Sequence, residues 1–177
     1  MIYPSLSEAK ELSKGEKMVP VSMEVYADME TPISVFKRYQ EKSHCFLLES
    51  VEKGKKWARY SFIGLNPTLN ITGYADHTIV EYKDGKTEKY TGNPVETIKV
   101  IMSDYQSADV KGLPVFTGGA VGYFGYDIAR FYEELPDVPE DTYDLPECQL
   151  MMVNEVIAFD HLKQKLILIA NVSAKGN

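Results

Sequence analysis

Basic residues are in short supply in this chain. Nineteen Lys and Arg stand against 26 Asp and Glu, giving a net charge of −7. A free-standing nucleic-acid binder needs positive surface to neutralise phosphates, so no nucleic acid is expected as a partner. Cysteine is scarcer still. Cys45 and Cys148 lie far apart, and neither belongs to a Cys-x-x-Cys pair. No zinc site is expected, and two free thiols suit a reducing, cytoplasmic setting. No apolar run approaches the ~20 residues that span a bilayer. The opening Met-Ile-Tyr-Pro-Ser-Leu has no basic segment followed by an apolar one, so neither membrane insertion nor a secretion signal is expected. His44, His77 and His161 share no ligand spacing, which argues against a metal site. There is no Gly-x-Ser-x-Gly elbow for a hydrolase nucleophile. Asp137, Glu140, Asp141 and Asp144 read as a solvated acidic loop, not a catalytic pair.

What is present is an ordinary globular composition. Of 177 residues, 44% are hydrophobic and 25% charged, enough for one good core. Three helix starts are written locally. Ser5 caps a helix to Ser13 with Leu6, Ala9 and Leu12 at helical spacing. Thr31-Pro32 opens a second, with Ile33, Val35, Phe36 and Tyr39 inward. Asn93-Pro94-Val95-Glu96 opens a third, with Val95, Ile98, Met102 and Tyr105 as its stripe.

Between and beyond them the pattern is strand-rich. Val19–Ala27 is extended, with Val19, Val21, Met23 and Val25 on one face. Cys45–Val51, Ala58–Ile63 and Leu69–Tyr74 follow, then Thr78–Tyr82 and Thr87–Tyr90 around a two-residue Asp84-Gly85 hairpin. Val115–Phe124 is a glycine-rich strand. Its Gly118, Gly119, Gly122 and Gly125 do not form a phosphate loop, because Ala120 stands where the second glycine is required. Close backbone approach is the better explanation. Tyr123, Phe124 and Tyr126 are expected in a core or interface, and Asp127–Tyr132 as one helical turn. Gln149–Phe159 and Lys165–Val172 read as two long strands, apolar on both faces. The fold class is α+β, a mostly antiparallel sheet with helices packed on one face.

The chemistry concentrates in residues 46–64. An apolar run, Phe46-Leu47-Leu48, delivers Glu49 and Ser50 to its end. A lysine-rich turn follows, and a second run delivers Arg59 and Ser61 before Gly64. A carboxylate, two hydroxyls and a guanidinium meeting between neighbouring strands would suit a small zwitterion with amino and carboxylate groups.

Leu47-Leu-Glu-Ser50 and Arg59-Tyr-Ser-Phe-Ile-Gly64, with Phe116-Thr-Gly-Gly-Ala-Val-Gly-Tyr-Phe-Gly-Tyr-Asp127 and Asn154-Glu-Val-Ile-Ala-Phe-Asp-His161, also carry a family resemblance. In this order they resemble the amino-terminal region of the large, chorismate-using subunits of anthranilate synthase. The resemblance implies one part of the larger sandwich of the chorismate-utilising enzymes. On that basis residues 1–177 are expected to be a regulatory and scaffold domain, with the carboxy-terminal chorismate-binding catalytic domain absent. The abrupt end after a buried-looking strand carries the same expectation of a fragment. For the whole enzyme the resemblance implies amination of chorismate to anthranilate with loss of pyruvate. It also implies Mg²⁺ held by the absent domain, ammonia from a glutamine amidotransferase subunit, and feedback inhibition by L-tryptophan. Carried over by position, Ser50, Glu49, Arg59 and Pro32 belong to the tryptophan site, and no catalytic or metal residue lies in this segment. Two other readings stay open, an aminodeoxychorismate synthase type of enzyme and a self-contained amino-acid-binding module.

Overall fold

The computed structural model describes residues 2–41, 44–49, 59–136, 143 and 145–174. It divides into two compact units. The first comprises Met1–Pro67, Asp104–Gly119 and Val153–Asn177, and the second Thr68–Ser103 and Ala120–Met152.

The first unit holds a six-stranded sheet. Its strands are β1 (Ile2–Tyr3), β2 (Met18–Tyr26), β3 (Phe46–Leu48), β4 (Tyr60–Leu65), β10 (Glu155–Asp160) and β11 (Lys165–Ser173). They lie in the order β1-β2-β11-β10-β4-β3, and each neighbouring pair is antiparallel. Helix α1 (Leu6–Leu12) begins at Ser5 with a complete capping box to Glu8. It buries no residue, and its expected stripe fails at Leu6, which is 74% exposed. Helix α2 (Pro32–Lys37) begins at Thr31, whose hydroxyl accepts from the Ser34 amide. It packs Val35 against Ile63, Leu65 and Ile157, with Phe36, Tyr39 and Leu47 around them. Ile33, expected inward, is exposed, because residues two apart lie on opposite sides of a helix and Val35 takes the side facing the sheet.

The β2 pattern also departs from expectation. Pro20 and Ser22 are buried, while Met23 and Val25 are exposed. Both faces of the strand are covered at its start and neither at its end.

The second unit holds a five-stranded sheet of β5 (Leu69–Gly73), β6 (His77–Tyr82), β7 (Thr87–Thr91), β8 (Gly119–Phe124) and β9 (Cys148–Val153), in the order β7-β6-β5-β9-β8. Helix α3 (Pro94–Ser103) starts at Asn93, whose side-chain oxygen accepts from the Val95 amide at 2.9 Å. Glu96 pairs with Lys99 at 2.7 Å instead of closing the capping box. The β6–β7 hairpin forms, yet Lys83, Asp84 and Gly85 all lie in its turn. The Tyr82 amide donates to the Lys86 carbonyl and the Gly85 amide to the Tyr82 carbonyl, the three-residue hairpin geometry. Tyr126–Phe131 forms a 3-10 turn, near the expected helical turn. Tyr123, Phe124 and Tyr126 are exposed, the last at 82%.

The expected Gln149–Phe159 strand is two strands. Cys148–Val153 belongs to one sheet and Glu155–Asp160 to the other, with Asn154 between. Strand β10 has the two-sided burial expected of it, from Val156 to Asp160. Where one sheet was expected there are two, both antiparallel, and the α+β class holds.

The glycine-rich strand shows the expected close approach. A Cβ on Gly122 would lie 1.9 Å from the Gln149 carbonyl oxygen. Gly122→Ala should therefore push the β8 and β9 backbones apart and cost about 3 kcal/mol. By contrast, the Thr78 hydroxyl is buried with no hydrogen-bond partner among the described residues, and Thr78→Val should stabilise the chain by about 1 kcal/mol. Urea unfolding of both variants measures the two effects, which should have opposite signs.

Candidate functional site

Strands β3 and β4 pair with Phe46 opposite Gly64, Leu47 opposite Ile63 and Leu48 opposite Phe62. That register carries Glu49, one residue past the last pair, toward the Ser61 end of β4. Glu49 is exposed there. Ser50 lies outside the described residues. Arg59 stands just before β4, on the other arm of the same connection. Pro32 is buried at the first position of α2, the helix that packs on β3 and β4. Glu49 and Arg59 thus stand at one end of the β3–β4 pair, and Pro32 opens the helix that packs on these two strands.

Arg59 has a partner that spacing did not reveal. Its Nε donates to Oδ1 of Asp160 at 3.1 Å and its Nη2 to Oδ2 at 2.6 Å. This fork binds the start of β4 to the end of β10. The carboxylate is 1% exposed and the guanidinium 33%. Asp160 Oδ1 also accepts from the amides of Leu162 and Lys163, at 3.0 and 3.1 Å. Burial pushes the Asp160 carboxyl upward. The Arg59 fork and the two amides outweigh that and hold it below its usual range. A guanidinium carries five N–H groups, and the fork uses two of them. Arg59 is therefore fixed in place while donors remain on its open side, where a ligand carboxylate can be met.

Next to the fork lies a second cross-strand link. The buried Ser61 hydroxyl and Nε2 of His161 share a 2.8 Å hydrogen bond. The His161 ring leans on Phe159, with centroids 5.0 Å apart. The His161 amide donates to the Arg59 carbonyl at 2.9 Å. Asp160 and His161 close the Asn154–His161 motif, so the motif was visible in the sequence. Their pairing with Arg59 and Ser61 depends on the β4–β10 register, which was not.

The remaining motif joins the same assembly. Phe116 sits edge-on to Phe62 at 5.4 Å and lies 6.3 Å from Phe46. Asn171 on β11 donates through Nδ2 to the Thr117 carbonyl at 2.7 Å. A Cβ on Gly118 would meet that Nδ2 at 2.6 Å and the Val153 carbonyl at 2.8 Å, and Gly118 has φ +154°. Only glycine meets both demands.

The two-strand corner, with its anchored arginine and exposed carboxylate, is thus tied to the Phe116–Gly118 segment. A family model described as chorismate binding enzyme matches residues 43–176. The chain belongs to the chorismate binding enzymes. It is 56% identical over 177 residues to anthranilate synthase component 1 of Acetivibrio thermocellus, covering 100% of this chain and 36% of that protein. The corresponding protein of Aquifex aeolicus is 34% identical over 174 residues, covering 97% and 35%. The crystal structure of anthranilate synthase component I from Streptococcus pneumoniae TIGR4 is similar with a TM-score of 0.52 and 27% identity, over 82% of this chain and 31% of that one. The chain spans about a third of the length of the curated relatives it matches.

Among the described residues no three His, Cys, Asp or Glu side chains converge to hold a metal ion. The buried carboxylate of Asp160 is fully occupied by its four hydrogen bonds. These residues do not fit a magnesium site. No helix among the described residues is long and apolar enough to cross a membrane.

The fork makes a stability prediction. A carboxyl held low in the folded state stabilises it above its unfolded pKa of ~3.9 and loses that contribution as pH falls through the folded value. Arg59→Leu leaves Asp160 buried and unpaired and should cost about 3 kcal/mol at neutral pH. The gap from the parent should shrink on acidification, once Asp160 is neutral in both proteins. Urea midpoints near pH 7 and below pH 4 test this, and equal midpoints at neutral pH would show that the fork holds nothing.

Proposed function

We propose that this chain is the regulatory and scaffold portion of the large subunit of an anthranilate synthase. The observation that carries the reading is 56% identity to an anthranilate synthase component 1 along the whole chain. The whole enzyme would add ammonia to chorismate and release pyruvate and water, leaving anthranilate. A glutamine amidotransferase subunit, component II, would deliver the ammonia, and Mg²⁺ would be held outside this segment. The work would be done in the cytoplasm.

Within this portion, the β3–β4 corner would bind tryptophan as feedback inhibitor. Glu49 would face the ammonium group, and the open donors of Arg59 its carboxylate. Ser50 would lie at the polar end of the ligand. Pro32 would support the apolar side, where an indole gains most from burial. Three features support this reading. The local match to the family motif is complete, Glu49 and Arg59 lie at the same end of the β3–β4 pair, and among the described residues the Asp160 fork takes only two of the Arg59 donors.

The chain alone should make no anthranilate, from ammonia or from glutamine. Magnesium-dependent anthranilate fluorescence from the purified chain would place catalysis within these residues and overturn the division proposed. In the whole enzyme, Ser50→Phe should raise the tryptophan concentration for half-inhibition at least tenfold by filling the space beside the ligand. An unchanged inhibition curve would remove Ser50 from the site. The chain alone should also bind tryptophan weakly, since it supplies one wall of the pocket. Leaving ~100 Å² of indole in water at ~25 cal/mol per Å² loses roughly 2.5 kcal/mol, or about 50- to 100-fold in affinity. Micromolar binding by calorimetry would show a pocket complete within the chain.

A further inference from the structure

Away from the β3–β4 corner, the six-stranded sheet carries a cavity of about 510 Å³ between β1, the ends of β2 and β11, and the Lys111–Leu113 segment. None of Pro32, Glu49 and Arg59 lines it. Its apolar surface comes from Ile167 and Leu113, with Tyr3 and Tyr26 as flat walls. Strand β1 is held over it by pairing with β2 and by the Ser22 hydroxyl, which donates to the Tyr3 carbonyl. The volume falls in the range of small-molecule sites, ~300–1,000 Å³.

The charges around the cavity oppose those of the chain. Lys165 and Glu24 neutralise each other through a 2.7 Å pair. Lys111 and Lys163 also line the cavity, and neither has a carboxylate partner among the described residues. Three lysines against the single carboxylate of Glu24, which feels both Lys165 and Lys163, leave this cavity net positive in a protein whose net charge is −7. Lys163 is not on a loose loop, because its amide is held by Asp160. Lys111 marks a boundary. The adjoining groove, about 350 Å³, shares Tyr3 and Lys111, and its other charged residues are Glu8, Glu11 and Asp109. An anion is attracted on one side of Lys111 and repelled on the other.

We propose that this cavity is a second ligand site, for a small ring-bearing carboxylate. The ring lies on the Tyr26, Ile167 and Leu113 wall, and the carboxylate sits between Lys111 and Lys163. Apolar walls with two convergent cations select for both parts of such a molecule at once. A single-ring aromatic carboxylate such as benzoate or anthranilate enters it with room to spare.

Calorimetric titration of the 177-residue chain with benzoate at low salt tests the assignment. Benzoate should bind saturably. Benzamide, the same shape without the charge, should bind at least tenfold more weakly, and inorganic phosphate, the charge without the ring, likewise. The double variant Lys111→Gln, Lys163→Gln should weaken benzoate binding at least tenfold. Both side chains are exposed, so its unfolding midpoint should match the parent's. Absence of saturable benzoate binding, equal binding of benzamide, or unchanged affinity in the double variant overturns the site. Phosphate binding as tightly as benzoate overturns the ring-bearing ligand. The benzamide and phosphate comparisons use the unaltered chain and stand even if the variant folds poorly.

Discussion

The end of β10 carries a carboxylate almost wholly removed from water, and its four hydrogen bonds constrain the strands on both sides. Through Arg59, Asp160 fixes the entry into β4. Through the amides of Leu162 and Lys163, it shapes the turn into β11. A buried charge tolerates no slack, since a lost partner leaves desolvation uncompensated. The registers on either side of β10 are therefore anchored at one point. A one-residue slip of β4 would turn Ile63 away from the α2 core and pull Arg59 off its carboxylate together. The candidate ligand corner inherits its geometry from this fork. An arginine free to wander would lose more entropy on gripping a ligand than one already immobilised.

The four sequence motifs turn out to be largely one another's packing partners. Arg59 and Ser61 meet Asp160 and His161. Phe46 and Phe62 meet Phe116. Gly118 leaves room for Asn171, which is hydrogen-bonded to Thr117. The strings that identify the family are thus mainly a description of how its sheet is tied together. The candidate ligand contacts are the few members that face outward, Glu49 and the open edge of Arg59 among them.

Local features were legible and distant ones were not. Ser5, Thr31 and Asn93 announce helix starts because a cap acts within three residues. Asp84-Gly85 announces a hairpin, though the turn holds one residue more than the dipeptide suggests. The break at Asn154 was hidden, because apolar runs on either side look alike whichever sheet they enter. The exposure of Val25 and Tyr123 was hidden too, since periodicity reports a face but not what covers it. At the candidate corner, the nearness of Glu49 and Arg59 follows from the antiparallel pairing of β3 with β4. The grip of Asp160 on Arg59 spans 101 residues and depends on a register that no local pattern encodes.

The strand order has a consequence for how the chain comes together in time. β11, late in the sequence, lies between β10 and the early strand β2, which has only the two-residue β1 on its other side. A growing chain therefore makes β2 long before its main partner exists. Until β11 inserts, two edges that end up inside the sheet stay open, one on β2 and one on β10. Such long-range closure is slow, and open strand edges recruit other chains. Insertion of β11 is thus the step that closes both edges at once.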